Sequence, residues 1–215
     1  YGVLSYQTAY LKAHFPVAFA AALLTVERGD SDKVAQYVAD ARHLGVEVLP
    51  PDINTSGGDF TPDGDVVRFG LYGVKNVGDA AVDHLVRERQ QGGRFRDLFD
   101  FCRRVDTQLV NKRALESLVK AGAFDALGDR ASLLEHLEPA LRWGAAQREQ
   151  ASLGQLGLFG IDEVRPPALA AAEPLSPLDL LRMEKEALGL YLSSHPMLQY
   201  PGLAESASCS VADLD

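Results

Sequence analysis

The stretch Leu71–Arg89, LYGVKNVGDAAVDHLVRER, decides the fold of this 215-residue chain. Its pattern predicts a helix, a tight hairpin and a second helix. Gly78 stands where the second helix starts, with Asp79 in the first turn, and Val74 and Val77 can pack beneath the hairpin. The stretch therefore predicts a helix-hairpin-helix element.

The hairpin of this element has the chemistry of an anion site. Backbone N–H groups near Asn76–Gly78 point outward at a helix N-terminus and can bind a phosphate, and Lys75 adds a positive charge. Such contacts hold a nucleic-acid backbone without reading its bases. Asn76 occupies a position that is usually glycine, and Asn tolerates positive φ better than most residues. The alternative is a structural hairpin in which Gly78 only permits close packing.

A second unit of the same form lies about forty residues further on, in Val110–Leu137. Its segment SLVKAGAFDAL again predicts a helix, a glycine hairpin at Gly122 and a helix. We expect the two units to pack as four helices and to contact phosphates on both sides of a duplex groove. Ala121 and Phe124 have the character of core residues, so this copy is the weaker signal and a structural role stays open. The candidate DNA-binding residues are Lys75, Asn76, Val77, Gly78, Lys112, Arg113, Lys120 and Gly122.

The rest of the chain is mostly helical. Apolar residues recur at helical spacing through SYQTAYLKAHFPVAFAAALLTV, which Pro16 interrupts. The start of the next helix is predicted to be capped by Ser31 or Asp32, and the helix stops at Gly45. β structure is confined to a short strand in VEVLPPDIN and a hairpin around the turn PDGD. The predicted fold class is mainly α with a small β hairpin or sheet (α+β), with a tandem helix-hairpin-helix four-helix unit.

Shifts of pattern divide the chain into four regions. Residues 1–70 are helical with the small β element, and residues 71–142 hold the two hairpin units. Residues 143–177 gain Pro, Ala and Gln and are predicted to be a linker. Residues 178–215 begin with a helix and enter what we expect to be a further, truncated domain. The chain starts without Met, so we expect a piece of a longer protein.

The predicted linker contains Gln155-Leu156-Gly157-Leu158-Phe159. A polar residue and three large apolar ones on flexible chain are typical of a peptide that docks into a groove on a partner. The apolar side chains would then dominate the affinity. Alternatively, Leu156, Leu158 and Phe159 fold back on the core of this chain.

Composition and charge exclude several classes. Hydrophobic residues make up 47% of the chain and the net charge is −9, which argues against non-specific nucleic-acid binding by the whole surface. Gly73–Lys120 nevertheless carries ten basic and seven acidic residues, an excess of +3. The apolar run Phe15–Val26 is too short to span a bilayer. Cys102 and Cys209 form no metal or redox motif, and the five histidines lack ligand spacing. We expect no catalytic, metal-binding or cofactor-binding residues in this chain.

Several segments, in order, resemble the alpha subunits of bacterial DNA polymerase III, the C-family replicative polymerases. They are SYQTAYLKAHFPVAFAAALLT, DKVAQYVADARHLGVEVLPPDIN, FGLYGVKNVGDAAV, VNKRALESLVKAGAFDALGDR, GQLGLFG and EKEALGLYLSSHP. The resemblance implies that residues 1–70 end the fingers domain, that 71–142 bind duplex DNA, and that the approach to an OB-fold domain starts near residue 191.

The same resemblance implies partners. Gln155–Phe159 is similar to the family's clamp-binding pentapeptide, Gln-Leu-Ser/Asp-Leu-Phe, from which Gly157 departs at the third position. The expected partners are primer-template duplex DNA, the sliding clamp (the beta subunit) and other replisome subunits in the cytoplasm, with no membrane. The family's catalytic aspartates and their magnesium are expected outside this chain. The alternatives are a helix-hairpin-helix module of a DNA repair protein and a purely structural domain.

Overall fold

The computed structural model describes residues 1–152, 166–167 and 170–200. The helices are α1 Gly2–His14, α2 Pro16–Val26, α3 Ser31–His43, α4 Asp79–Gly92, α5 Leu98–Arg104, α6 Lys112–Lys120, α7 Arg130–Ser152 and α8 Pro177–Leu188. The strands are β1 Val48–Leu49, β2 Thr61–Asp63 and β3 Val66–Arg68, and short 3₁₀ turns cover Leu71–Gly73 and Pro196–Gln199. The fold class is thus mainly α with a small sheet, as the sequence predicts.

The N-terminal helices form a bent arm. Pro16 starts α2, where a missing N–H costs nothing, and α2 buries Ala20, Ala21 and Leu24. No residue of α1 is buried. No single helix of the described residues is long and apolar enough to cross a membrane, and α1 and α2 reach that measure only together, across a bend of 120°.

The N-cap of helix α3 lies one residue before the first position predicted for it. The carboxylate of Asp30 accepts hydrogen bonds from the N–H groups of Asp32 (3.1 Å) and Lys33 (3.2 Å), so Asp30 is the N-cap and neither Ser31 nor Asp32 is. The predicted stop is confirmed, because Gly45 follows the helix with φ of 77°.

The three strands form one small sheet with β3 in the centre. β2 runs antiparallel to β3, with Thr61 opposite Arg68, and β1 runs parallel to it, with Val48 opposite Val67. Gly64 closes the predicted hairpin with φ of 64°. The sheet lies on α2 and buries Val67 and Phe69, so it connects the helical arm to the rest of the chain.

One core crosses the boundary predicted at residue 70. The Ile53 N–H donates to the Ala123 carbonyl (2.8 Å). The Asn54 side chain forms two hydrogen bonds with the backbone of Phe95, of 2.9 and 2.7 Å. The segment that carries the sheet is therefore part of the same packed body as the two hairpin units.

At the C-terminal ends of three helices in this body, an arginine side chain from a later segment binds the backbone carbonyls. Arg104 donates to the carbonyls of Glu88 and Gly93 at the end of α4, and Arg130 donates to the carbonyl of Lys120 at the end of α6. Glycine lets each guanidinium approach: a Cβ on Gly92 would lie 2.9 Å from the Arg104 Cζ. Each guanidinium group thus donates to carbonyls at or near a helix C-terminus, where the last carbonyls have no partner within the helix.

The third such arginine lies in a segment predicted to be linker. Helix α7 runs on through residue 142 to Ser152, so residues 143–152 are helical rather than linker. Arg148 donates to the carbonyls of Cys102 and Val105 at the end of α5 and to Thr107 Oγ1 (3.0 Å). A Cβ on Gly144 would lie 2.5 Å from the Cys102 carbonyl carbon, so only glycine permits this approach of α7 to α5.

Helix α8 packs back onto this body. Ser176 caps its start, Gly189 follows its end with φ of 85°, and Leu188, Leu190 and Leu192 are buried in the common core. Glu184, 1% exposed, accepts hydrogen bonds from the N–H groups of Leu192 (2.7 Å) and Ser193 (3.0 Å). The predicted truncated domain, residues 178–215, thus starts with a helix that belongs to the hairpin body, and residues 201–215 lie outside the described part.

Candidate nucleic-acid interface

The first hairpin has the predicted backbone but a shorter lead-in. A single 3₁₀ turn, Leu71–Gly73, stands where a helix was predicted. Asn76 has φ of 64°, the only positive φ among the non-glycine residues described, which confirms its glycine-like role. Val74 and Val77 are buried beneath the hairpin, as predicted. The turn therefore holds the start of α4 at the surface.

Two neighbouring helices fix the hairpin in place. The Asn76 side-chain amide donates to Ser117 Oγ on α6 (3.0 Å). The Lys75 N–H donates to the Ala187 carbonyl at the end of α8 (2.9 Å), which removes that N–H from the groups open to a ligand. A hairpin fixed in this way loses little conformational entropy when it binds a partner.

Helix α4 differs from its neighbours at its N-terminus. Each of α3, α5, α6, α7 and α8 has a side-chain cap on its first turn, from Asp30, Asp97, Asn111, Asp129 and Ser176 respectively. Gly78 is the N-cap residue of α4 and has no side chain to form such a cap. Among the residues that the structure describes, none accepts a hydrogen bond from the N–H of Gly78, Asp79 or Ala80. These three exposed donors can bind one oxyanion.

The space in front of these donors is open. A Cβ built on Gly78 would meet no atom within 4 Å, and its φ of −74° is ordinary for any residue. Glycine is therefore not required here for packing. Its missing side chain instead leaves the backbone free for close approach by a ligand.

The charges around the hairpin are mixed. Lys75 is exposed, but Asp79 lies in the first turn of α4, where it would repel a phosphate. Arg28 offsets Asp79 at 3.3 Å and Asp59 at 2.5 Å. The hydrogen bond that Tyr72 donates to Asp83, with burial and the neighbouring carboxylates, raises the pKa of Tyr72 to about 12. A phosphate bound here would thus rely on N–H groups and Lys75 rather than on a strongly basic field.

The second hairpin has a different environment. Gly122 has φ of 86° and is buried, and its N–H donates to the Val119 carbonyl (3.0 Å). The helix predicted directly after it is a series of turns, and α7 starts only at Arg130. Ala121 and Phe124 are fully buried, as predicted. This hairpin ends α6 and supports the core, and the N–H groups of Ala121, Gly122 and Ala123 are bonded to carbonyls of α6.

The predicted basic residues of α6 lie at opposite ends of the helix. Lys112 pairs with Glu138 (3.2 Å), and the neighbouring Arg113 is exposed. Lys120 lies at the other end, beside Glu116 (2.8 Å) and Glu186 (2.9 Å). Partial burial opposes the charge of Lys120, but the hydrogen bonds to these two carboxylates outweigh it and raise its pKa.

The structure therefore brings together four of the eight predicted residues, Lys75, Asn76, Val77 and Gly78. Lys120 lies near them through α8, because Glu186 precedes Ala187. Lys112 and Arg113 lie apart, and Gly122 is inside. Sequence reasoning missed Arg94 and Arg96, two exposed arginines after α4, although the turn signal QGGR marked their loop. The peptide Gln155–Phe159 lies outside the described residues.

Other chemistry is not evident in the described part of the chain. No group of three or more His, Cys, Asp or Glu there could hold a metal ion. His84, His136 and His195 each accept a hydrogen bond from a backbone N–H, so they support turns and connections. Burial raises the pKa of Cys102 to about 12, which makes it a poor nucleophile.

The Asp63–Asp65 spacing resembles a carboxylate pair, but these residues belong to the β2–β3 turn. Arg68 pairs with Asp63 at 2.8 Å, which gives that carboxylate a structural partner. The turn is thus explained by the sheet hairpin.

The fold and the exposed hairpin define a helix-hairpin-helix protein, and a family described as "Helix-hairpin-helix motif" matches residues 45–133. The match starts well before residue 71, in agreement with the shared core. The chain is 59% identical over 214 residues to DNA polymerase III subunit alpha of Thermus aquaticus, covering 100% of this chain and 17% of the relative.

Further relatives carry the same name. The chain is 52% identical to the protein of Deinococcus radiodurans over 220 residues, covering 100% of this chain and 16% of the relative. It is 39% identical to that of Escherichia coli K12 over 207 residues, covering 93% of this chain and 18% of the relative. The chain thus spans less than a fifth of the length of these curated relatives. It belongs to the family of bacterial DNA polymerase III alpha subunits.

Proposed function

We propose that this chain is the part of a bacterial replicative DNA polymerase that holds duplex DNA by its backbone and attaches the polymerase to the sliding clamp. The polymerase reaction, its catalytic aspartates and magnesium are assigned to other parts of the subunit, and the setting is the cytoplasmic replisome. The relatives favour this function over a DNA repair module, because those cited above are all named as polymerase subunits.

The observation that carries the DNA-binding role is the uncapped start of α4. Three N–H donors stand free beside Lys75, in front of open space, on a hairpin that α6 and α8 hold in place. A DNA phosphate can accept hydrogen bonds from these donors, and its negative charge is favoured by the positive N-terminal end of the α4 dipole. Because backbone N–H groups and Lys75 would contact phosphate oxygens rather than base edges, binding is expected to be independent of sequence.

The clamp role rests on the sequence Gln155–Phe159 and on its position in the chain. Helix α7 is fixed to α5 by Arg148 and ends at Ser152, so Gln155 follows a firmly anchored helix after only two residues. Two linked contacts, one to DNA and one to the clamp, raise the effective concentration of each other. Such a chain acts as a tether that keeps the polymerase on DNA while it moves.

The DNA-binding role is tested with a fluorescently labelled duplex at low salt. Gly78→Ala adds a methyl group in front of the donors, and Lys75→Ala removes the adjacent charge. Each variant should bind several-fold more weakly, and Lys75→Ala should lower the slope of log K against log salt by about 1. Arg182→Ala, an exposed charge on α8, is the matched control. Unchanged binding by both hairpin variants would refute the assignment.

The clamp role is tested with the purified bacterial clamp. The triple variant Gln155→Ala, Leu158→Ala, Phe159→Ala should lose binding, because the apolar side chains of such peptides dominate the affinity. Its DNA affinity should stay at the wild-type value, which separates the two functions. Equal clamp binding by the variant and the wild type would show that another surface makes the contact.

A further inference from the structure

The loop between α4 and α5 carries arginines that the fold does not use. Most basic residues nearby have internal partners: Arg104 binds backbone carbonyls, as does Arg89 through the Ile53 carbonyl (2.9 Å). Arg94 and Arg96 are exposed, and their side chains form no ion pair or hydrogen bond with residues 1–152, 166–167 or 170–200. These two guanidinium groups are available for a ligand.

The loop itself is fixed. Phe95, between the two arginines, is 1% exposed, and Asn54 bonds both its N–H (2.7 Å) and its carbonyl (2.9 Å). Its ring packs against Phe101 with centroids 4.9 Å apart, and the Arg104 guanidinium covers it at 4.4 Å. The backbone positions of Arg94 and Arg96 are therefore set before any ligand arrives, which reduces the entropic cost of binding.

Arg96 also faces a cleft. The cleft has a volume of about 390 Å³ and is lined by Arg96, Arg103 and Arg104 together with Glu88, Gln91 and Asp100. Asp100 pairs with both Arg103 (3.0 Å) and Arg104 (3.3 Å), so Arg96 is the lining arginine whose guanidinium has no partner among the described residues. Guanidinium groups bind phosphate through paired, parallel N–H donors, which suits this arrangement.

We infer that Arg94 and Arg96 form a second phosphate-binding surface for a nucleic-acid backbone, separate from the hairpin. The inference rests on the proposed function, which supplies a nucleic acid as the ligand. Helix α4 has 14 residues, so the two surfaces lie about 21 Å apart along its axis. That distance equals about six base pairs along a strand, so one longer DNA or two different strands can occupy both surfaces.

The test compares Arg94→Ala/Arg96→Ala with wild type on a 20-base-pair duplex and on a 20-nucleotide single strand. Each phosphate contact raises log K by about 0.9 when salt falls from 1 M to 0.1 M. Because the double variant loses two such contacts, its affinity at 0.1 M salt should be at least about tenfold lower than that of wild type. Its salt slope should fall by about 1.8. Lys12→Ala/Arg182→Ala removes the same charge elsewhere and should stay within about twofold of wild type.

The outcomes separate this inference from the proposed function. If the double variant loses affinity only for the single strand, that strand is the source of the phosphate, and the inferred surface is supported. Loss of DNA affinity in the Gly78→Ala variant without loss in the arginine variant overturns the inference and keeps the proposed function. Loss in the arginine variant alone supports the inference and overturns the role proposed for the hairpin, while DNA remains the ligand. If the double variant loses clamp binding while its DNA binding stays intact, the ligand of the two arginines is an acidic protein surface, and the inference is overturned. If the wild-type protein binds neither the duplex nor the single strand, both the inference and the proposed DNA-binding role are overturned.

Discussion

Replacing Gly144 by alanine tests the close packing of α7 on α5. Helix propensity alone predicts that Gly144→Ala stabilises the protein by about 1 kcal/mol, since the residue lies inside a 23-residue helix. The structure predicts the opposite. The new Cβ would lie 2.5 Å from the Cys102 carbonyl carbon and 2.9 Å from the Arg103 nitrogen, and both are backbone atoms that cannot turn aside.

The size of the effect follows from what must move. Overpacking costs about 1–3 kcal/mol. Separating the helices also weakens the hydrogen bonds from Arg148 to the Cys102 and Val105 carbonyls, and a bond to a charged donor contributes about 1.5–3 kcal/mol. After the helix-propensity gain, the net loss is about 3 kcal/mol, which lowers Tm by about 6–12 °C for a chain of this size.

The assay is chemical denaturation at 25 °C, with a thermal scan as a second probe. Gly29→Ala is the matched control, because this glycine is exposed, nothing lies within 4 Å of its new Cβ, and its φ is outside the left-handed region. It should stay within about 0.5 kcal/mol of wild type. If Gly144→Ala is as stable as wild type or more stable, the two helices do not approach as closely as described, and the role given to Arg148 fails with it.

Three further predictions concern single side chains. Arg148→Lys keeps the charge but cannot reach two carbonyls and Thr107 at once, so the free energy of unfolding should fall by about 1–3 kcal/mol in urea denaturation, and an unchanged value would contradict the capping role. Glu184→Gln weakens the hold on Leu192 and Ser193, so hydrogen exchange at their amides should accelerate by tenfold or more while that of α4 stays constant; equal rates would refute the anchor. N–H bonds from Ser132 lower the pKa of Asp129 below its usual 3.8, so its contribution is complete at neutral pH and is lost as pH falls through that lowered value. The gap in Tm between wild type and Asp129→Ala should therefore shrink in acid, and a constant gap would rule out the linkage.

Local signals in the sequence predicted the first hairpin well. The positive φ at Asn76 and the start of α4 at Gly78 depend on neighbouring residues alone, and the alternation of apolar and turn residues around Gly64 marked the sheet hairpin. Helix existence followed from apolar spacing in the same way. These features are encoded within a few residues of each other, so single-sequence reasoning reaches them.

Contacts between distant segments were beyond that reasoning. Residues 143–152 look like linker because Gly144 and the polar residues after it break the apolar pattern, yet they are helical because α5 offers them carbonyls and a close surface. The inward orientation of Gly122 depends likewise on Arg130, eight positions later. A list of basic residues therefore overstates the proposed DNA-binding face, since several of them serve the fold.

The three arginines at the C-terminal ends of α4, α5 and α6 also determine which helix ends keep an uncompensated partial charge. A helix carries partial negative charge at its C-terminus and partial positive charge at its N-terminus. Arg104, Arg148 and Arg130 place a full positive charge on three negative ends, which would otherwise repel a polyanion. The positive end of α4 is left without a compensating cap. A chain of net charge −9 can thus present an attractive local field to DNA by the arrangement of its peptide dipoles, with few surface cations committed to the task.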